Sequence, residues 1–521
     1  MNKKQLDLSF SIFVIIAFSY AVFNFTWWSF YNPVIPYGSS ASHFLDIFQK
    51  SFLLHNAPLL TYIMRFMFFI FGKEYYDLIV IFVNYIFFLI PLYFIYKIGV
   101  ELKDKETGNI AMILFALVPA VYGMSRQYGH QDYHIIAGIT FNIYCLIKSD
   151  YFRDRKWTIW YGISVGLGLM IKDAFLAYFF VPFVYIVIAG LRDKFEKRKI
   201  INILITIAIS SLIVGWHYFR PGIIQKIWYE PVTDVFYPIV SFESIRVTTI
   251  GLWEELLSPP FFIIFIIGLV YFVRKYHDKY KIVILLWFFV PWSIITFMPH
   301  SKLIEYCMGF IPAIILISSF FITSLNKIYI KKIILILLII IGFLQYVDFS
   351  YGSTINLFNM QFKYKNNIIQ YYNNKNNTLI SYNQKESKLV LNLIKYLKKN
   401  YTHNTFYIEE FCEIDSASIA AQMYLNNMYC VRGNYDTEDV LSSGIIIIIG
   451  KPKTIQKIVQ LKINKMLKNN VNAKMITETI NIIVNNFNEI REGYNIIDIF
   501  YVDQNHNNNL KVTLLSKKIN F

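Results

Sequence analysis

Long apolar segments recur along the first two thirds of the chain. Runs of roughly 20 mainly apolar residues, the length that crosses the hydrocarbon of a bilayer as a helix, continue to residue 347. Charged residues make up 16% of the sequence, whereas about 25% is usual for a soluble domain. Because a helix satisfies its own backbone polar groups, the sequence predicts a polytopic α-helical membrane protein.

About eleven transmembrane helices are predicted from these runs. They are expected near residues 8–28, 76–97, 109–124, 132–148, 157–171, 174–190, 201–218, 259–273, 281–298, 303–324 and 331–347. The first run follows Lys3 and Lys4 and is too long for a signal peptide, so we interpret it as an uncleaved helix. The apolar segment 59–72 is amphipathic and is expected to lie along the membrane surface as a helix.

The net charge of +16 comes largely from lysine and arginine residues in alternate loops. Loops rich in lysine and arginine lie on the cytoplasmic side of a cell membrane, so the N-terminus is expected in the cytoplasm. Because the predicted number of crossings is odd, the C-terminal part is expected on the extracytoplasmic side. Long outer loops are expected at about 29–75 and 219–258, which favours chemistry on the outer side. The basic residues do not form one patch alternating with aromatic residues, so no nucleic-acid partner is expected.

The composition changes after residue 350, where asparagine and lysine become frequent. Alternating strand-like and helix-like segments predict an extracytoplasmic, soluble α/β domain over 350–521, after a membrane domain over 1–349. Strands are expected at 405–409, 444–450, 480–484 and 495–502, and helices at 387–399, 416–425 and 454–467. The isoleucine run 445–449 fits a buried parallel strand. Cys412 and Cys430 are candidates for a disulfide if this domain faces an oxidising compartment.

Ionisable residues near the ends of apolar runs are candidates for function, because charge is costly there. Asp46 is the one acid between residues 31 and 60 of the first outer loop, and His43 lies one helical turn before it if the segment is helical. A carboxylate in such a position suits a general base or a metal ligand. An ordinary solvated aspartate is the alternative interpretation.

The short outer loop at 125–134 concentrates polar side chains. It carries Arg126, His130, Asp132 and His134. Asp132 and His134 are candidate ligands for a divalent metal. The alternative is that Asp132 caps the helix that follows.

Two further places combine a lysine with a carboxylate. Lys172 and Asp173 interrupt an apolar stretch, and Lys302 and Glu305 precede another helix. A buried lysine needs an anionic partner, and a phosphate group would serve; interfacial turns with a snorkelling lysine are the alternative. Together, these groups on one outer face fit a polyprenyl-phosphate ligand, whose tail stays in the membrane lipids while its phosphate meets lysine or arginine.

Five segments in order resemble the membrane glycosyltransferases of the GT-C superfamily, in the branch of protein O-mannosyltransferases and the aminoarabinose transferase of lipid A. They are HNAPLL (55–60), IFG (70–72), ALVPAVYGMSRQYGHQD (116–132), GLGLMIKDAFLAYFFVP (166–182) and KLIEYCMGFIPAIILI (302–317). The resemblance rests on the order and spacing of these segments. The resemblance covers most of the first 350 residues.

This resemblance implies transfer of a sugar from a polyprenyl phosphate to an extracytoplasmic protein, lipid or cell-surface glycan. It implies a catalytic base in the first outer loop, a second loop acid at Asp132 and a donor-binding lysine at Lys172. Arg126 or Lys302 would help Lys172 to hold the phosphate, and His43, His55, His130 and His134 are candidate supporting residues. In the best local alignment, Ser39-Ser40 stand where the family has an acidic pair, and Asp46, six residues later, is the candidate that would take over the role of the base; a different register of the alignment is the alternative.

The sequence is also compatible with two other interpretations of the protein's function. A catalytically inactive relative would explain the missing acidic pair. A transporter or lipid permease would also need many helices, but such proteins often contain internal repeats, and none is apparent here.

Overall fold

The computed structural model describes residues 3–31, 58–125, 131–193, 196–219, 245–277, 279–297 and 304–351, together with seven strands between 361 and 517. These residues fall into two compact units. The first comprises the helices and a short pair of strands, and the second comprises a five-stranded sheet. The domain boundary expected at 349–350 stays a prediction, since the first unit also contains the strand pair that follows the last described helix, which ends at Tyr351.

A helix lies at each of the positions where the apolar runs predicted one. The helices are α1 (Lys3–Tyr31), α2 (Leu59–Phe71), α3 (Tyr76–Leu102), α4 (Lys105–Leu117), α5 (Pro119–Met124), α6 (Gln131–Lys148), α7 (Arg155–Ile171), α8 (Phe175–Asp193), α9 (Lys197–Tyr218), α10 (Pro259–Lys275), α11 (Lys281–Phe297), α12 (Ile311–Thr323) and α13 (Ile328–Tyr351). A 3₁₀ turn, Ile304–Phe310, leads into α12, and two π-helical turns, Arg246–Ile250 and Leu252–Leu257, precede α10.

Six of the described helical segments are long and apolar enough to cross a membrane. They are Leu8–Thr26, Leu78–Leu102, Phe175–Asp193, Lys197–Tyr218, Glu305–Thr323 and Ile328–Val347. The count of eleven crossings therefore stays a prediction. The helix α2 has 13 residues, too few to span a bilayer, and buries Leu60 and Met64 on one side. Its position at a membrane surface also stays a prediction.

The helix predicted at 109–124 is divided in two. The chain is extended at Val118, with ψ of 124°, and Pro119 begins a new short helix. Proline disfavours the helical conformation in the residue before it and has no N–H to continue the hydrogen-bond ladder. The first half also begins earlier than expected, because the side chain of Asp104 accepts a hydrogen bond from the Thr107 N–H at 2.8 Å.

The loops predicted to be rich in lysine and arginine meet at one end of the bundle, which we call the lysine-rich end. The ion pairs that join them are Glu101–Lys148 (3.0 Å), Glu106–Lys331 (2.8 Å), Asp150–Lys279 (2.7 Å) and Asp193–Arg153 (2.7 Å). An ion pair with at least one partner in contact with solvent contributes little to stability, about 1 kcal/mol or less. These ion pairs show that the loops they join lie at the same end of the bundle. The side of the membrane that this end faces stays a prediction.

The second unit contains a mixed sheet. Its strands are β3 (Phe406–Glu410), β4 (Cys430–Arg432), β5 (Ile445–Ile449), β6 (Tyr494–Gln504) and β7 (Asn508–Lys517), in the order β4-β3-β5-β7-β6. The predicted strands at 405–409, 444–450 and 495–502 thus have counterparts. The isoleucine strand β5 lies inside the sheet, parallel to β3 as predicted but antiparallel to β7.

Several C-terminal predictions fall outside the described residues. They are the helices at 387–399, 416–425 and 454–467, the strand at 480–484, and Cys412 of the candidate disulfide. The α/β character and the solubility of the domain therefore stay predictions. The first unit also has an antiparallel pair that sequence reasoning missed, β1 (Gln361–Tyr364) with β2 (Asn367–Gln370).

Candidate functional site

A buried ion pair lies at the end of the bundle opposite to the lysine-rich end. Asp132 is in the first turn of α6, and Lys172 follows the last residue of α7. The Lys172 ammonium donates to both carboxylate oxygens of Asp132, at 2.6 and 2.5 Å. The helix α6 runs from this pair to Lys148 over 18 residues, or roughly 27 Å, so the pair is far from the loops at the lysine-rich end.

The pair is well shielded from solvent. The side chain of Lys172 is 17% exposed and that of Asp132 is 9% exposed. Electrostatic attraction is stronger in such surroundings than in water, but each charge has also lost most of its hydration. The two charges therefore depend on each other, and a small part of the Lys172 side chain remains exposed.

Glycines let the two helices that carry the pair come close together. A Cβ atom at Gly168 of α7 would lie 2.2 Å from Cζ of Phe175, and one at Gly138 of α6 would lie 3.5 Å from the Gly168 Cα. The ring of Phe175 thus covers the Gly168 backbone directly below the turn that bears Lys172. This close packing brings the end of α7 next to the beginning of α6.

Tyr306 covers the ammonium from another element. The Lys172 Nζ lies 4.6 Å from the centroid of the Tyr306 ring, a cation–π distance. The 3₁₀ turn that carries Tyr306 is held from two sides: the Tyr178 hydroxyl donates to the Tyr306 carbonyl, and the Trp287 indole N–H donates to the Gly309 carbonyl at 3.0 Å. A Cβ atom at Gly309 would lie 2.5 Å from the Tyr178 ring, so this position requires glycine.

The neighbour of Lys172 is held by a different helix. The hydroxyl of Tyr218, the last residue of α9, donates to the carboxylate of Asp173 and lies 2.8 Å from the Leu169 carbonyl oxygen. The turn between α7 and α8 is therefore fixed by α6 through Lys172 and by α9 through Asp173.

His134 belongs to a separate polar group. Its Nε2 lies 2.8 Å from the Asn84 side-chain oxygen, and the Asn84 amide donates to the Ser125 carbonyl at 2.7 Å. Residues two apart on a helix face different directions, so Asp132 and His134 do not converge on one point. Within the described ranges, no group of three or more His, Cys, Asp or Glu side chains is arranged to hold a metal ion.

The structure brings together two of the residues singled out from sequence, Asp132 and Lys172. The remaining candidates His43, Asp46, His55, Arg126, His130 and Lys302 lie outside the described residues. Sequence reasoning missed Tyr178, Tyr218 and Tyr306. Tyr306 stands in a segment that had been singled out for Lys302 and Glu305, whereas a tyrosine at a helix end such as Tyr218 is too common to signal a role.

The fold is that of GT-C membrane glycosyltransferases. The structure matches that of ArnT from Cupriavidus metallidurans bound to undecaprenyl phosphate with a TM-score of 0.63, at 8% identity, over 99% of this chain and 98% of that one. It matches the archaeal oligosaccharyltransferase AglB from Archaeoglobus fulgidus, in complex with an inhibitory peptide and a dolichol-phosphate, with a TM-score of 0.53, at 11% identity, over 84% of this chain and 69% of that one. At these identities the likeness concerns the fold.

One stretch of the sequence also matches a protein family. Residues 55–217 match the dolichyl-phosphate-mannose-protein mannosyltransferase family. Asp132, Lys172 and Tyr178 lie inside the matched stretch. No curated protein matches the chain by sequence. The resemblance to GT-C glycosyltransferases that was drawn from the motifs is confirmed by the family match and the fold together.

Proposed function

We propose that the protein is a membrane glycosyltransferase that moves a sugar from a polyprenyl-phosphate donor to an extracytoplasmic acceptor. The observation that carries the proposal is the Asp132–Lys172 pair. It lies within the stretch that matches the mannosyltransferase family, in a bundle whose fold is shared over nearly its whole length with ArnT bound to undecaprenyl phosphate. The acceptor, a protein, a lipid or a cell-surface glycan, is left open, as is the hexose or pentose nature of the sugar.

Lys172 is proposed to hold the donor phosphate. An ammonium has three N–H donors, and the two Asp132 oxygens engage it on one side. Its partial exposure leaves room for one further charge-assisted hydrogen bond to a phosphate oxygen. Arg126 and Lys302 are proposed to share the phosphate charge, as expected from their places in the sequence.

Asp132 is proposed to orient the site. A carboxylate that is paired with an ammonium on both oxygens is a poor proton acceptor, so Asp132 is better suited to hold Lys172 charged and in place than to act as a base. The base is therefore assigned to Asp46, with His43, His55 and His130 as supporting residues. His134, engaged with Asn84, is assigned to holding α6 against α3.

The proposed reaction inverts the anomeric carbon. Asp46 takes the proton of the acceptor hydroxyl as the hydroxyl oxygen attacks the anomeric carbon. The bond from that carbon to the phosphate oxygen breaks, and polyprenyl phosphate leaves with the electron pair. Lys172 stabilises the charge that grows on the departing phosphate. A divalent metal would serve the same end, and chelation during the assay tests for one.

The test is transfer of labelled sugar from polyprenyl-phosphate donors in proteoliposomes. We expect transfer by the wild type and loss of transfer in Asp46→Asn. Transfer that survives this change would move the base to another acid. Absence of transfer by the wild type with every donor tried would favour the inactive relative or the transporter.

A further inference from the structure

The turn at 172–174 points its two charged side chains in different directions. Lys172 has an extended backbone, with φ of −161° and ψ of 140°. Neighbouring side chains in an extended segment project to opposite sides. Lys172 accordingly reaches Asp132 on α6, while Asp173 reaches Tyr218 on α9.

The hydroxyl of Tyr218 links the two sides of this turn. It has one proton and two acceptors within hydrogen-bond distance, the Asp173 carboxylate and the Leu169 carbonyl. Leu169 lies in the last turn of α7, and its carbonyl is one of those that a helix end leaves without an intrahelical partner. Tyr218 therefore contacts both the end of α7 and the residue after Lys172.

Asp173 is also the carboxylate nearest to Lys172 along the chain. If it were free to rotate, it would compete with Asp132 for the ammonium and would repel a phosphate arriving there. The Tyr218 hydroxyl holds it on the other side of the turn. In this arrangement the Lys172 ammonium is directed at Asp132 and lies over the Tyr306 ring.

We propose that Tyr218 is a positioning residue for the donor phosphate, acting through Asp173 on Lys172. This inference rests on the proposed function, because it gives Tyr218 a role in the binding of the lipid phosphate by Lys172. It requires no contact between Tyr218 and the ligand. Removal of the hydroxyl should loosen the turn while leaving the apolar contacts of the ring in place.

The experiment compares the affinities of the purified full-length protein for two probes, undecaprenyl phosphate and undecaprenol, which differ by the phosphate. The wild type is expected to prefer the phosphate. Tyr218→Phe should weaken phosphate binding roughly 10-fold, the value of one hydrogen bond to a charged group, and leave undecaprenol binding unchanged. Asp173→Asn, which keeps an oxygen to accept from the hydroxyl, should retain more of the preference than Tyr218→Phe.

Tyr280→Phe is the matched control. Its hydroxyl also donates to a helix carbonyl, that of Ile147 at 3.0 Å, but at the lysine-rich end. This variant should bind both probes as the wild type does. Equal weakening of both probes in Tyr218→Phe would mean a general structural role and would overturn the inference, as would a wild-type preference that survives the substitution. A wild type with no preference for the phosphate would instead count against the proposed function itself.

Discussion

Asp132 and Lys172 neutralise each other at a place where neither charge is well hydrated. Asp132 lies at the beginning of a helix, where the helix dipole favours a negative charge, and Lys172 supplies donors to both its oxygens. Neither side chain has enough exposed surface to recover its hydration if the other is removed. Removal of either residue would therefore leave an unpaired and poorly hydrated charge.

The first prediction concerns the loss of one member of this pair. Asp132→Ala leaves the Lys172 ammonium without its carboxylate, and we expect the free energy of unfolding to fall by about 3–5 kcal/mol. The double variant Asp132→Asn with Lys172→Met removes both charges at similar volume and should recover most of that loss. Thermal unfolding in detergent measures both. A double variant that is no more stable than Asp132→Ala would mean that the charges are not coupled as described.

The second prediction concerns strain at Ser258. This buried residue has φ of 69° and ψ of 156°, a region that glycine adopts readily and other residues seldom do. Its hydroxyl donates to the Gln345 side-chain oxygen at 3.1 Å. Ser258→Gly and Ser258→Ala both remove that hydrogen bond, but only Ser258→Gly also removes the conformational strain of the positive φ.

Ser258→Gly should therefore be more stable than Ser258→Ala by about 1–3 kcal/mol. The midpoint of thermal unfolding of the two variants, measured side by side, gives the difference. Because neither variant has the hydroxyl, the difference between them measures the free-energy cost of the backbone conformation at residue 258. If alanine proved equal to glycine, the positive φ would carry no cost at this site.

The helices illustrate what hydrophobic runs reveal and what they leave out. Their presence and approximate position follow from apolar length alone, which is why a described helix lies at each predicted interval. The break at Val118–Pro119 needed attention to the proline, and the early beginning of α4 needed the cap formed by Asp104. Both are local effects of one or two residues, and they are not visible when hydrophobicity is considered over a run of about 20 residues.

The third prediction concerns the close packing of Gly168 of α7 against Phe175 of α8, next to α6. A Cβ atom at Gly168 would lie 2.2–2.4 Å from three atoms of the Phe175 ring, and the ring is fully buried. Gly168→Ala should destabilise the protein by about 1–3 kcal/mol, in spite of the better helix propensity of alanine. It should also displace Lys172 and weaken binding of undecaprenyl phosphate.

Gly215→Ala is the matched control. It also replaces a helical glycine beside a phenylalanine, but Phe219 is 74% exposed and its ring, 3.2 Å from the added Cβ, is free to move aside. This variant should be as stable as the wild type or slightly more stable. Similar losses in the two variants would indicate a general requirement for glycine in these helices rather than close packing at Gly168.

At the scale of the whole molecule, the alternation of charged loops predicted that certain loops belong together, and the ion pairs at the lysine-rich end join those loops. The pairing of Asp132 with Lys172 was not predictable in the same way. The two residues are 40 positions apart, and both had been assigned to the outer side without being assigned to each other. Their contact depends on how closely α6 and α7 pack, which is a property of Gly138, Gly168 and Phe175.

The fourth prediction concerns the side of the membrane that each end faces. Lys327 is exposed in the loop before α13, at the lysine-rich end, and Ala174 is exposed in the turn beside Asp173, at the other end. The native Cys145 and Cys307 are fully buried and should not react. In a background with Cys412→Ser and Cys430→Ser, Lys327→Cys and Ala174→Cys each present one accessible thiol.

A membrane-impermeant maleimide added to intact cells should label Ala174→Cys, because the positive-inside arrangement puts that end outside. It should label Lys327→Cys after the membrane is permeabilised. Each variant is the control for the other, since both cysteines are exposed on short turns. The reversed pattern would put the Asp132–Lys172 pair on the cytoplasmic side, and the proposed extracytoplasmic transfer would then be wrong even if the enzyme class were right.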